Sequence, residues 1–457
     1  MTRSGRARGA ALATIALTAL ATACGDDGAG PELPTVDPSA ATATPVMLGD
    51  RLVLATAAGL ASHVGAGTPT VSIEAGGRIV DAVAAAAPDV SGAALFAVVD
   101  VAGLRRLSAF SASGASAWDL DAGGGVMRRP GVRGDHLMVV SSDSDGSWQA
   151  RWVDRNDGSI VASLDLGAGP ATPPARLRSL DTQWLVGVDH RLVALEVSGS
   201  GVDTRITVVA DIDAEVGRVT SVFSSGVWLI GATGWLDAAD ADAAADGALG
   251  DRLIAGGLGE GGPTGTRLLL NGHPMATPDL IEAPPVLVRP VPVCVGPDCT
   301  RHLDGVIASG GSHWLGGWRA DIGQALFVRT DLPERVTGVA FGDNGRLFSG
   351  GSHWLPGSPQ NGFVIRGFAL VGGSGDEVLL SEDFALEQAP DELVVGVPSP
   401  IVQGGSLLVG AATTHGPLLV SVPSATAAPT PCGWPRAFGD DRNAASPLTD
   451  NPGLCGL

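Results

Sequence analysis

The chain reads as an all-β protein, a β-propeller of about eight four-stranded blades, with seven as the alternative. Three observations lead there. Ser309-Gly310-Gly311-Ser312-His313-Trp314-Leu315 recurs residue for residue as Ser349-Gly350-Gly351-Ser352-His353-Trp354-Leu355, forty positions later. A repeat of that period matches the length of one propeller blade. Weaker copies recur along the chain, and 66 Gly with 31 Pro in 457 residues punctuate many short strands rather than long helices.

The weaker copies set the blade count. Ser225–Leu236 fits without a gap, with Gly234 where the strong copies carry His. Gly405–Gly410 is a fourth copy, and fainter ones lie at Trp184–Gly187, Gly134–Val140, Gly92–Val98 and Gly49–Leu54. Each is a turn residue, a short apolar run and then small residues, the pattern of a buried strand between tight turns. The starts fall near 49, 92, 134, 182, 226, 305, 345 and 405. Most gaps are about 40–48 residues, the length of a four-stranded blade. The two long gaps, after 226 and after 345, call for insertions.

Residues 1–23 read as a targeting signal. Arg3, Arg6 and Arg8 form a basic start, and Ala10 to Leu20 form an apolar run too short to span a bilayer. Ala21-Thr22-Ala23 then precedes Cys24, a segment that resembles the lipobox of bacterial lipoproteins. The resemblance implies that Cys24 is acylated and becomes the new N-terminus. Leu20 sits one place early for that motif, and Ala21-Thr22-Ala23 also fits an ordinary secretory cleavage site. Residues 24–45, rich in Gly, Pro, Ala, Thr and Asp, read as a flexible tether. The propeller is expected over 46–425 and a Cys-containing tail over 426–457.

Setting Cys24 aside leaves four of the five Cys, in two local pairs: Cys294 with Cys299, and Cys432 with Cys455. Two disulfides suit an oxidising, exported compartment. Zinc is the competing reading, but neither pair has the short CxxC spacing.

The net charge of −20 argues against nucleic acid or an anionic membrane surface as partner, since both demand basic patches. Aromatic residues make up 4%, Tyr is absent and all 28 basic residues are Arg.

One blade can be followed strand by strand. His136–Ser141 is a strand, Asp145-Gly146 a turn, Trp148–Asp154 the return, Asp157-Gly158 a second tight turn and Ser159–Leu166 the outer strand. The next opens with Thr172-Pro173-Pro174 and continues through Trp184–Val188 and Leu192–Val197. Further openings, Ala283-Pro284-Pro285 and Pro398-Ser399-Pro400, also put Pro just before a strand, where a missing N–H does least harm.

The order from Asp157-Gly158 through Leu166, Thr172-Pro173-Pro174, Trp184–Val188 and Arg191–Leu195 resembles the pyrroloquinoline-quinone-type propeller repeat. Gly433-Trp434-Pro435, with Gly439-Asp440 and Asn443, resembles the Trp-Pro…Gly-Asp…Asn segment often beside such propellers. The resemblance implies eight blades. The repeat's outer-strand Trp is missing, Ala162 or Ser163 standing in its place.

Candidates for chemistry are few. Asp237, Asp240, Asp242 and Asp246 do not follow the alternating order of a calcium loop, and Asp154–Gly158 is explained by a hairpin turn. His313, Trp314, His353 and Trp354 form the candidate binding face, since equivalent positions on neighbouring blades share one height and radius. The competing reading is a repeated turn whose Trp packs between blades. His63, His136, His190, His273, His302 and His415 are scattered singly. There is no G-x-S-x-G elbow or H-E-x-x-H, and a chain without Lys has no P-loop.

The functional expectation is a non-catalytic, lipid-anchored binding or scaffold module on a bacterial membrane, monomeric, without metal or cofactor, meeting a protein or glycan partner of the envelope. In architecture it is similar to the outer-membrane assembly lipoprotein propellers. The competing class is a quinoprotein-like or carbohydrate-active propeller enzyme.

Overall fold

The fold is given by a computed structural model. It describes residues 46–434 apart from 49–50, 56–58, 64–70, 85–91, 178–181, 214–217, 225–229, 236–251, 260–266, 270–274, 277, 279–280, 289–290, 296–297, 304, 320–323, 343–344, 355–360, 373–376, 389–393, 397–399, 404, 414–415 and 424–432. The chain divides into two compact units, Met1–Val36 and Asp37–Leu457, and every described residue lies in the second. The expected leader, tether and most of the tail, with Cys24, Cys432 and Cys455, lie outside the described residues.

The described strands form eight sheets in chain order. Sheet 1 spans 46–74, sheet 2 78–121, sheet 3 124–168, sheet 4 175–213, sheet 5 218–276, sheet 6 281–329, sheet 7 335–388 and sheet 8 394–423. Sheets 1–7 each contain four antiparallel rows met in order from first strand to fourth. Sheet 8 has three described rows. Val394–Gly396 and Ile401–Gln403 share one edge of Ser406–Thr413, and Gly416–Pro423 takes the other. Seven blades are thus complete, and an eighth sheet closes the series.

Each second strand begins just after one of the eight repeat starts: Arg51–Ala55, Ala93–Val101, His136–Asp143, Gln183–Val188, Ile230–Trp235, Val306–Gly311, Leu347–Trp354 and Ser406–Thr413. Where side chains are described, most of the apolar residues of these strands are covered on both faces. In sheet 3, Leu137 and Val139 join the core shared with sheet 2, while Met138 and Val140 join the core shared with sheet 4. Period-two alternation is present, but neither direction leads to water.

Neighbouring sheets pack face to face around a closed ring. Shared cores join sheets 1 and 2, 2 and 3, 3 and 4, 6 and 7, and 7 and 8. Sheet 4 meets sheet 5 where the Val219 amide donates to the Asp189 carbonyl at 2.7 Å. First strands Arg218–Ser224 and Ile281–Val288 bring sheets 5 and 6 together. Met47 and Leu52 of sheet 1 then pack with Ile401 and Leu408 of sheet 8, closing the circle. At roughly 1.5–3 kcal/mol per fully buried large apolar side chain, these shared faces dominate stability.

The first long repeat gap is filled in part by a hairpin, Val291–Val295 with Asp298–Leu303, inserted between the first two strands of sheet 6. The second reflects the longest of the described strands, Asn361–Gly372 and Val378–Gln388. Gly433-Trp434 pairs with Val288 and Leu287 on the free edge of the first strand of sheet 6, so the chain returns to the inner rim of the ring.

Candidate functional site

The ring has two unlike ends. The crossover end carries the turns between second and third strands and the connections from each fourth strand to the next sheet. The return end carries the first-to-second and third-to-fourth connections.

The return end holds a groove of about 580 Å³ between sheets 3 and 4. Arg133, His136, Trp152 and Asp154 line one wall, and Thr182, Val197 and the segment 199–204 line the other. Cross-strand register explains the first wall. Arg133 pairs with His136 and His136 with Asp154, so three polar side chains meet at one sheet corner. His136 stacks on Trp152 with ring centroids 5.0 Å apart and planes 9° apart. Trp152 meets Trp184 of sheet 4 edge-on at 6.1 Å, which fixes the floor.

The lip opposite is a tight turn. Gly199 and Gly201 adopt φ of 86° and 57°, and Gly201–Asp203 forms a single 3₁₀ turn. Val202 at its apex stands fully in solvent, and Ile160 across the groove is 47% exposed. The groove therefore offers a cation, a carboxylate, an imidazole and apolar surface within one concavity.

At the crossover end the two copies of the long repeat differ. In the first, Gly311 pairs with Trp314, so Ser312 and His313 make a two-residue turn. In the second, the strand continues through His353 and Trp354, which pair with Gly362 and Asn361. Identical residues thus make a turn in one sheet and a strand in the next, because the third strand of sheet 7 is longer. His313 is exposed, holds φ 63° and donates from Nδ1 to the Leu332 carbonyl at 3.0 Å.

The expectation that Trp314 forms part of a binding face is corrected. It is 1% exposed and lies edge-on to Trp318 at 6.3 Å in its own sheet. A large apolar ring at a strand start is more stable in the core than facing a partner. The side chains of His353 and Trp354 lie outside the described residues.

The repeat's glycines have a packing reason. A Cβ at Gly310 would stand 2.6 Å from Val336 Cγ1 of sheet 7, and one at Gly351 would stand 2.5 Å from the Arg335 carbonyl. The neighbouring sheet at Gly310, and the neighbouring strand of the same sheet at Gly351, approach too closely for a side chain.

Two arginines lie on the connection between Gly124–Met127 and Gly131–Arg133. Arg129 is 2% exposed and pairs with Asp81 of sheet 2 at 3.3 Å. Burial pushes the Asp81 carboxyl above its ordinary value, although Arg129 and then Arg105 pull it down. Arg128 donates to the Ala171 carbonyl at 2.7 Å and lies over the Trp148 ring. Burial, helped by the nearby Arg105 charge, brings its pKa down to about 10.

The remaining sequence candidates fall as follows. Asp154–Gly158 is a hairpin turn, the Asp154 and Asp157 carboxylates accepting from the Asn156 and Ser159 amides at 2.8 Å each. Asp237, Asp240, Asp242 and Asp246 lie outside the described residues. Cys294 and Cys299 stand next to the paired Val295 and Asp298 on the two arms of the inserted hairpin. Among the described residues, no three or more His, Cys, Asp or Glu gather as a metal site. Sequence reasoning missed the groove, because its lining is drawn from turns spread over 133–204 on two blades.

No family model matches the chain, and no curated protein matches it. Among solved structures it is similar to the C-terminal WD40 domain of Sif2, at 9% identity over 82% of this chain and 90% of that one, TM-score 0.46. It is also similar to the Dos1 propeller, at 10% identity over 84% and 93%, TM-score 0.46. The β-propeller domain of Cps50 (Swd1) from Myceliophteria thermophila follows, at 10% identity over 70% and 76%, TM-score 0.33. The fold itself rests on the ring of antiparallel sheets described above.

Proposed function

We propose that this chain is a non-catalytic binding or scaffold module of the bacterial envelope, held to the membrane by a lipid on Cys24. In this reading its return-end groove takes a protein or glycan partner. One observation carries it: the groove places Arg133, His136, Asp154 and the exposed Val202 and Ile160 around one concavity on a closed, rigid ring. Rigid scaffolds that present loop residues at one end are a common basis for recognition. The leader-like residues 1–23 and the lipobox-like segment before Cys24 support the address. Export also accords with disulfides between Cys294 and Cys299, beside the turn of one hairpin, and between Cys432 and Cys455. The net charge of −20 favours partners other than nucleic acid.

The test uses the full chain with a photo-crosslinking residue at Val202, on the groove lip, and at Leu379, exposed on the fourth strand of sheet 7. Both are irradiated in envelope extract. A discrete adduct from position 202 that disappears on Arg133→Ala/His136→Ala substitution supports the reading. Equal labelling from both positions overturns the groove as the contact. A quinone or a stoichiometric metal in the purified protein would replace the scaffold reading with the enzyme one, toward which the quinone-type repeat resemblance points.

A further inference from the structure

On the crossover side of sheets 2 and 3, three arginines meet acids and two do not. Asp100 lies 3.5 Å from Arg78, Asp81 3.3 Å from Arg129 and Asp143 2.9 Å from Arg151. Arg105 and Arg128 are half-buried, and neither pairs with a carboxylate among the described residues. Strand register places Arg105. Val98 and Leu107 pair with each other and enter the core shared with sheet 3. Asp100 and Arg105 pair two residues away along the same strands, so Arg105 faces sheet 3 beside the crossover turn of sheet 2.

Arg128 comes to this end from sheet 3. Its Nε donates to the Ala171 carbonyl at 2.7 Å, and its guanidinium carbon lies 5.1 Å from the centre of the Trp148 ring. These contacts fix the plane and leave Nη1 and Nη2 without a hydrogen-bond acceptor among the described residues. The two guanidinium groups are close enough to repel. Burial, and then Arg105, bring the Arg128 pKa to about 10, so it still carries its charge at neutral pH. A cation held in this way is costly unless something supplies negative charge. The chain has acids to spare, 48 against 28 basic residues, yet sets none against Arg128.

We infer that Arg128 and Arg105 hold a small dianionic oxyanion at the crossover end, hydrogen phosphate being its simplest form. The Nη edge of Arg128 presents parallel N–H groups, the arrangement that takes two oxygens of one oxyanion. A second guanidinium nearby favours a doubly charged ligand over a singly charged one. Trp148 and the Ala171 carbonyl hold Arg128 in advance, so binding need not order a long side chain. The site lies at the opposite end of the ring from the groove. It therefore stands or falls independently of the envelope reading.

Calorimetric titration of the full chain with inorganic phosphate tests this, with acetate and chloride at matched ionic strength as comparators. A single phosphate per chain is expected, bound about tenfold or more tightly than either monoanion. Arg105→Gln removes a half-buried charge that makes no ion pair, so the fold should keep its unfolding temperature in chloride. The same change should weaken phosphate about tenfold. Arg128→Met should abolish phosphate binding, and phosphate should raise the unfolding temperature of the wild type but not of this variant. Phosphate binding that survives both substitutions, or that chloride or acetate matches, is a diffuse counter-ion effect and overturns the inference. Absence of both heat and thermal shift with phosphate overturns it too. If Arg128→Met fails to fold, Arg105→Gln decides alone.

Discussion

Arg366 and Glu334 form a two-point ion pair shut away from water. Nε donates to Oε1 at 2.6 Å and Nη2 to Oε2 at 3.2 Å, with the side chains 9% and 1% exposed. Arg366 lies on the third strand of sheet 7 and Glu334 on the connection from sheet 6, so the pair fastens a crossover loop to the next blade. Burial works against the guanidinium charge, but the bond to Glu334 and the fields of Glu334 and Glu382 outweigh it and raise its pKa.

Removing one partner strands the other charge. Arg366→Met is expected to lower stability by about 3–5 kcal/mol, because Glu334 would keep a buried carboxylate with its two-point partner gone. Arg366→Met/Glu334→Leu should recover most of that loss, since an apolar pair leaves no charge to solvate. Urea unfolding of the three chains measures both steps. A double variant no better than the single one would show that the loop is held by its shape and not by the pair.

Gly310 faces a different constraint. Its missing Cβ is what lets Val336 approach, so Gly310→Ala should cost about 1–3 kcal/mol through overpacking. Val336→Ala in the same chain removes the clashing Cγ1 and should return part of the loss. Thermal unfolding of the single and double variants reads the coupling, and strictly additive losses would place the cost in backbone strain instead.

These packing relations explain what could be read in advance. The blade period, the second strands and the third-blade turns follow from local pattern, because the second strands carry short apolar runs and the third-blade turns hold Asp-Gly. The repeated Ser-Gly-Gly was legible as a repeat, and its reason, close approach of Gly310 to sheet 7, needed the neighbouring sheet. Burial of Trp314 agrees with a Trp that packs in the core, and its edge-on contact with Trp318, four residues on, needed the strand pairing to be seen. The Arg366–Glu334 pair spans two blades at no fixed spacing. The groove walls are likewise brought together by packing across two blades, Trp152 against Trp184 within their shared core.

Asp81 should give the ring a pH dependence. Its folded pKa is raised from an ordinary 3.8, burial outweighing the attraction of Arg129. The fold thus binds its proton more tightly than the unfolded chain does. The stability it contributes is full below 3.8 and is lost as pH rises through the folded value. Asp81→Asn cannot titrate, so the difference in unfolding free energy, wild type minus variant, should fall with rising pH above that point. A flat difference from pH 4 to 8 would mean that the pair with Arg129 holds the carboxyl near its ordinary value.

His313 separates backbone strain from recognition. A non-glycine residue at φ 63° costs roughly 1–2 kcal/mol, and its bond to the Leu332 carbonyl returns about 1 kcal/mol. His313→Ala keeps the strain and loses the bond, so it should lower stability by about 1 kcal/mol. His313→Gly loses the bond but relieves the strain, and should match or exceed the wild type. Neither change should alter crosslinking from Val202, because the groove lies at the opposite end of the ring. If His313→Ala abolishes partner capture while His313→Gly leaves the fold intact and also abolishes it, the imidazole itself is the contact and recognition belongs to the crossover end.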